Sequence, residues 1–429
     1  MREGEKLSED GHRVSIMHTR SEEPFMLTAM ASLIGGTLWM WIRHDQFLEY
    51  FYSPEFLAMT HLITLGFVTS LMMGVLLRLA PMSLHVRARS VRLARVQFLL
   101  FLVGTSGMVS HFWRATWNGL AWATLLILAA ALVQLFNFSA VWPLALRGDW
   151  VARHVAASLV YFVLAALLGV LLGINKGWHL EFPLLGGTFM SNLFAHIHLA
   201  AVGWVTTMIF GFELKLVPTT RGSRRFLPVR FWLLQIGTLG LVGSWLADVP
   251  WQAPFAALLL VAVIWQAWGP TRALLRGRAR EWETVPLLIL SATALTGLLL
   301  ACGVPSPDHP LRARLQFAYG YAGLLGWIVL TITTVAFKLF PLWVWQERFQ
   351  PEFGTRPVPA MRELYSRRLA RASHLLLTVG VVATVVGIVS QDGSVLFVSL
   401  GLFFVGIVSF IINFVMMARW ALFNLEYRG

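Results

Sequence analysis

The sequence predicts an all-α polytopic membrane protein of about twelve transmembrane helices, arranged as three pseudo-symmetric four-helix arcs. Three observations predict it. The 429 residues are 57% hydrophobic and only 13% charged, too little charge to keep a soluble domain of this size in solution. Apolar stretches of roughly 20 residues, the length that crosses a bilayer core as a helix, recur along the whole chain. A template of three gap-free copies returns at every fourth helix.

The expected spans are 25–43, 57–80, 97–113, 117–141, 154–174, 189–217, 229–247, 251–270, 284–303, 313–340, 372–391 and 394–418. Residues 1–24 are charged and read as a cytoplasmic tail, 25–418 as the membrane domain and 419–429 as a second tail. The even-numbered connections carry the arginines: Arg87, Arg89, Arg92 and Arg95 in the first, Arg147 and Arg153 in the next. Arg221, Arg224 and Arg225 follow, then Arg272, Arg276, Arg278 and Arg280, and last Arg348, Arg356, Arg362, Arg367, Arg368 and Arg371. The odd-numbered connections are short and nearly free of such clusters. The positive-inside rule therefore puts both termini in the cytoplasm, which an even helix count requires. The same distribution explains the net charge of +13 by topology and anionic lipid rather than by nucleic acid. Cys302 is the single cysteine, so no disulfide or multi-thiolate metal site forms within one chain.

Three segments align without gaps: MTHLITLGFVTSLMMGVLLRLAP ending at Pro81, HIHLAAVGWVTTMIFGFELKLVP ending at Pro218, and YGYAGLLGWIVLTITTVAFKLFP ending at Pro341. With Gly66, Gly203 and Gly326 as anchors, His61, His198 and Tyr321 stand five residues before, and Arg78, Lys215 and Lys338 twelve after. Gly74 and Gly211 match Thr334. A second triple aligns Gly104, Gly237 and Gly380, each preceded at equal distance by Arg92, Arg225 and Arg368. The first triple forms the second, sixth and tenth spans and the second opens the third, seventh and eleventh, with the last copy split across the two termini. Part of the template is scaffold. The prolines are expected to mark helix ends, the basic residues to snorkel to the cytoplasmic interface, and the glycines to let helices approach closely.

The chain has twelve histidines. His12, His18, His44, His85, His179 and His309 fall in tails or loops, and His111, His154 and His374 near helix ends, where interfacial or capping roles are expected. His61, His196 and His198 lie inside spanning segments, where an ionisable group is costly and normally has a partner and a function. His61 and His198 stand at one depth, in the outer third, and two neutral imidazoles so placed can supply axial ligands to a haem iron. His196 lies two residues before His198, and two steps of about 100° turn it to nearly the opposite face, toward a different cleft. The plainer reading is that these imidazoles only hydrogen-bond between helices.

On these residues the sequence resembles subunit I of the haem–copper oxidase and nitric oxide reductase superfamily. AHIHLAAVGW is similar to that family's His-x-His segment, and THLITLGF to the segment carrying its second-helix haem ligand. The resemblance implies twelve helices in three arcs, a haem of b type held by His61 and His198, and His196 turned to a second haem or to copper. Tyr319 and Tyr321 take the equivalent positions in the third copy, as hydrogen-bond donors or unusual ligands. It also implies a bacterial inner membrane, a cytochrome or quinol as electron donor, and partner subunits. The departures are specific. The His pair lies on the sixth span instead of the tenth, and the seventh span has no His for copper. No carboxylate stands at mid-membrane; Glu213 lies near the cytoplasmic end, where basic neighbours are expected to pair with it. The last outer loop lacks the arginines that hold haem propionates, for which Arg43, Lys176, Arg312 or Arg314 substitute. The implied function is electron transfer or binding and detoxification of a diatomic gas such as nitric oxide, rather than full oxygen reduction. A lesser resemblance is to the NnrS family of haem- and copper-containing membrane proteins. Two other readings stand beside it: a solute transporter, against which the four-helix period argues, and a copper-handling assembly protein. Met72-Met73 and Met416-Met417 invite the latter, although packing in apolar helices explains them as well.

Overall fold

The computed structural model describes residues 21–49, 51–178, 188–217, 224–278 and 281–422. The expectations for most of both tails, for His12, His18 and His179, and for Pro218, Arg221 and Arg280 lie outside the described residues.

Twelve helices are long and apolar enough to cross a membrane. They are α1 (Glu23–Ile42), α2 (Pro54–Leu84), α3 (Val91–Trp113), α4 (Leu120–Asn137), α5 (Trp150–Trp178), α6 (Phe189–Leu216), α7 (Leu227–Leu246), α8 (Gln252–Leu275), α9 (Thr284–Ala301), α10 (Pro310–Arg348), α11 (Arg367–Ser390) and α12 (Gly393–Trp420). Each of the twelve expected spans coincides with one of them. No β-strand occurs among the described residues. Within hydrocarbon every backbone N–H and C=O must be satisfied inside its own segment, which the helix alone achieves for an isolated span.

Each helix packs on the next in sequence, and α12 packs on α1, so the chain closes on itself. Inside this circuit α10 touches both α2 and α6. The C-terminal halves of these three helices line an apolar, partly open cavity of about 80 Å³, with Met72, Met208 and Phe340 in its wall. Met73 and Met417 are buried too, so packing accounts for three of the four paired methionines.

The template glycines are contact points. A Cβ on Gly66 would lie 2.5 Å from Ser32 Oγ of α1, one on Gly203 2.7 Å from the Tyr161 ring of α5, and one on Gly326 2.8 Å from Ile289 of α9. Gly74 and Gly211 meet Phe25 and His154 in the same way. The second triple joins the next helix pairs: Gly104 meets Ala123 of α4, Gly237 meets Leu259 of α8, and Gly380 meets Phe403 of α12. The close contact expected of these glycines is therefore present.

Two further clamps match. Asn137 at the end of α4 accepts from Ser90 N (2.8 Å) and donates to Ser90 O (3.1 Å), and Asn413 of α12 does the same to Ser366 at 2.9 and 3.1 Å. In both, the serine hydroxyl also caps the helix it precedes, accepting from the backbone N–H of Leu93 and of Leu369.

Two scaffold expectations are corrected. Pro81 and Pro341 lie inside their helices, which run on to Leu84 and Arg348. A proline deletes one ladder bond without ending a helix when packing holds the following turn, and Trp343 and Val344 beyond Pro341 are buried. The template cations do not simply reach outward either. Arg78 pairs with Glu22 at 2.6 Å and with Glu347 of α10, Lys215 donates to Ser83 O of α2, and Lys338 borders the same small recess as Glu213 of α6. Each helix of the triple thus reaches another member of it at this end. Arg78 and Lys338 are partly buried, where a charge gains from a fixed acceptor, whereas Lys215 is exposed as expected of a residue reaching the interface.

Candidate haem site

The three template helices share a backbone irregularity that the sequence did not announce. In each, the α-helix gives way to eight residues of π-helix: Leu62–Thr69, Leu199–Thr206 and Ala322–Val329. Each segment begins on the residue after His61, His198 or Tyr321 and contains the anchor glycine. A π segment widens the turn and shifts the hydrogen-bond ladder, and such segments recur at functional sites. Threonine hydroxyls take up carbonyls there: Thr69 Oγ1 donates to Thr64 O at 2.9 Å and Thr206 Oγ1 to Ala201 O at 2.8 Å. Trp327 Nε1 of the third copy donates to Thr206 Oγ1 at 2.9 Å, joining two π segments directly.

The side chains just before each π segment are aimed by a common rule. His61 stacks on Phe112 of α3 with centroids 4.8 Å apart, His198 lies 4.5 Å from the Trp245 ring of α7, and Tyr321 stands beside Thr384 of α11. Two residues earlier in each copy the direction reverses. His196 packs over Gly169 of α5, and Tyr319 packs over Gly297 of α9. Met59, fully buried, is the first-copy equivalent, and only its place two before His61 could have singled it out.

The imidazoles are not free to choose a tautomer. His61 Nδ1 lies 2.7 Å from Leu57 O, His198 Nδ1 2.8 Å from Phe194 O, and His196 Nδ1 3.0 Å from Ala165 O of α5. A carbonyl can only accept, so each Nδ1 carries the proton and each Nε2 offers its lone pair. This is the arrangement of a metal-binding histidine whose other nitrogen is held by the surrounding protein.

The three lone pairs have different surroundings. His198 Nε2 accepts from the Tyr319 hydroxyl at 2.7 Å, so these two candidate residues are brought together. No hydrogen bond to Nε2 of His61 or His196 is present among the described residues, both rings are only half-buried, and they are close enough for their charges to interact. Tyr321 is buried and its hydroxyl has no partner in hydrogen-bonding geometry. Of the candidates, His198 and Tyr319 are therefore in direct contact, His61 and His196 are in electrostatic range of each other without a contact, and Tyr321 stands apart.

The surroundings of His61 lead to a cation. Phe112 lies 6.0 Å from Trp117, and Lys176 of α5 sits with its ammonium 4.2 Å from the Trp117 centroid and 4.4 Å from that of Tyr52. Of the other expected outer cations, Arg43 is paired with Asp45 and Glu55, Arg312 donates to Pro305 O and Leu300 O, and Arg314 donates to Val389 O.

The remaining histidines divide. His85 caps α2 in the left-handed conformation, His309 accepts from Leu311 N at the start of α10, and His111 binds Thr116 just past α3, as loop and end positions suggest. His154 is instead buried, with its ring edge-on to Phe231, and its Nδ1 proton goes to Trp150 O. Glu213 is buried and accepts from Gln266 Nε2 at 2.6 Å, while Arg230 donates to the same Gln266. Glu213 thus has an amide partner together with the basic neighbours Arg230 and Lys338. No group of three or more His, Cys, Asp or Glu side chains suited to a metal ion occurs among the described residues.

Neither protein-family models nor curated proteins give a match to this chain.

Proposed function

We propose that the protein binds a haem through imidazoles of the π-bearing helices and carries electrons within the membrane. His61 and His196 would hold it, and the twelve helices form three arcs, α1–α4, α5–α8 and α9–α12. The observation that carries this reading is the fixed tautomer of His61 and His196. Each has its Nδ1 proton anchored on a backbone carbonyl, which leaves the Nε2 lone pair as the coordinating one. Two neutral imidazoles suit a haem iron, whereas a resident copper or zinc ion would ask for three or more gathered donors, and no such group is present among the described residues. Lys176, reached from His61 through Phe112 and Trp117, suits a propionate at the outer mouth. The haem, when bound, supplies one-electron oxidation and reduction at its iron.

The chain's own residues do the rest. Leu57 O and Ala165 O fix the rings, Gly169 makes room for His196, and Phe112 covers the face of His61. Tyr319 occupies the lone pair of His198, so the pairing of His61 with His198 implied by the resemblance would require that hydrogen bond to break. Two imidazoles on one iron favour electron transfer. Gas binding is the second reading, and it requires one imidazole to be released. The matched glycine contacts and matched π segments support the arc arrangement, and the positive-inside rule supports cytoplasmic termini.

The test is the absorption spectrum of protein purified from haem-replete cells, oxidised and then dithionite-reduced. Wild type is expected to give Soret and alpha bands, His61→Ala and His196→Ala to lose them, and His198→Ala to keep them. Wild-type protein without a Soret band would refute the haem. Loss in His198→Ala with retention in His196→Ala would restore the His61–His198 pair.

A further inference from the structure

The arginine-rich end of the bundle holds a second polar recess that the haem reading leaves unused. It lies between α10 and the start of α11, where Thr334, Phe337 and Lys338 face Tyr365, Ser373 and His374. The space is a small crevice of about 30 Å³, part of it open. Its walls are fixed. Ser373 donates to Gly406 O at 2.8 Å and so pins α11 to α12 at this level, and the Phe337 and Tyr365 rings lie 5.4 Å apart. Thr334 Oγ1 is 3.4 Å from His374 Nδ1, giving a polar wall of hydroxyl and imidazole.

The three template cations are not equivalent here. Arg78 is engaged by two carboxylates and Lys215 by a backbone carbonyl. Lys338 borders Glu213 on one side and lines this crevice on the other. Above it the first turns of α11 present exposed Arg367, Arg368 and Arg371, the last of these one turn before His374.

We propose that this crevice binds the phosphoryl group of an anionic membrane lipid. Lys338 and His374 hold the phosphoryl oxygens, the Thr334 and Tyr365 hydroxyls complete the set, and Arg371 stands at the mouth. A compact ammonium with hydroxyl donors is a general recogniser of phosphate, and basic recesses between transmembrane helices are a recurrent form of lipid headgroup site. Inorganic phosphate offers the same oxygens but no acyl chain, which separates the two sources. The proposal does not depend on a haem.

The experiment titrates full-length protein in neutral detergent with phosphatidylglycerol, phosphatidylcholine or inorganic phosphate. Bound lipid is counted by native mass spectrometry, and the melting temperature is followed alongside. One phosphatidylglycerol is expected to bind more tightly than any phosphatidylcholine. Losing one charge-assisted contact should weaken it about ten-fold in Lys338→Gln and in His374→Ala. Arg276→Gln, which removes a cation from a different cluster, should leave it unchanged. Thr334→Val and Lys338→Arg guard against misfolding: the first should weaken binding and the second retain it, both at the lipid-free melting temperature of wild type. Equal binding in wild type, Lys338→Gln and His374→Ala would overturn the proposal, as would phosphatidylcholine binding as tightly as phosphatidylglycerol. Displacement of the lipid by millimolar inorganic phosphate would overturn the lipid as the source.

Discussion

Replacing Gly203 by alanine tests whether the anchor glycines set the helix spacing on which the histidines depend. The new Cβ would stand 2.7 Å from Tyr161 Cγ and 2.9 Å from its Cβ and Cδ1. Carbon atoms settle at about 3.5–4.0 Å, so α5 must retreat from α6 by about 0.8–1 Å at this level. Tyr161 is buried. Overpacking of this kind costs about 1–3 kcal/mol. The displacement also reaches Ala165, one turn along α5, whose carbonyl holds His196 Nδ1 at 3.0 Å. Adding most of an ångström takes that contact beyond hydrogen-bonding distance and forfeits about 1 kcal/mol more. The control is Gly35→Ala in α1, where nothing lies within 4 Å of the added carbon. There alanine should be neutral, or stabilising by up to about 1 kcal/mol through its helix propensity. The assay is thermal unfolding of the purified variants in one detergent. Gly203→Ala at least as stable as Gly35→Ala would refute the reasoning, because the contact would then have relaxed without cost.

Asn137→Ala and Asn413→Ala each remove a two-bond clamp and leave Ser90 N or Ser366 N without its acceptor, so each should destabilise by about 1–3 kcal/mol. A large difference between the two melting curves would argue against the equivalence of these helix pairs. Tyr319→Phe removes the donor to the buried His198 Nε2 and should lower stability by about 1 kcal/mol while leaving haem content unchanged, read by unfolding and by absorbance. In the turn after α1, a hydrogen bond from Arg43 holds the Asp45 carboxyl below its usual range. Its contribution is therefore complete above the ordinary carboxylate value of about 4 and is lost as pH falls through the lower folded value. Both side chains are well exposed, so the effect is small. Asp45→Asn should remove this component of the acid-side fall in melting temperature, and an unchanged pH profile would contradict it.

The spans were legible because hydrocarbon admits so little besides a long apolar helix. Their ends were less so: α10 runs from Pro310 to Arg348, well past the apolar stretch, because hydropathy records the solvent a helix meets rather than how far it continues. Pro341 misled for a related reason, since a missing N–H ends a helix only where nothing else holds the next turn. The histidines were legible as unusual residues, and the angular step correctly turned His196 away from His198. Which neighbour each would meet was hidden, because that depends on the order of helices around the bundle. The π segments were hidden more deeply. Gly66, Gly203 and Gly326 marked their register, yet a wide turn is a property of the ladder, and any of these residue types also fits an ordinary helix. The partner of Arg78 was hidden because its acceptor, Glu22, lies far away in the sequence.

The packing of α12 against α1 gives the molecule no privileged beginning. A circular order of helices is indifferent to where the polypeptide is cut, provided the cut falls in a connection at the membrane surface. The natural ends could then be joined and new ones opened between α4 and α5 or between α8 and α9, and every neighbour relation in the circuit would survive. Permuted chains of this kind would enter the membrane in a different order yet arrive at the same closed arrangement, so the order of synthesis and the final architecture are separable in this protein.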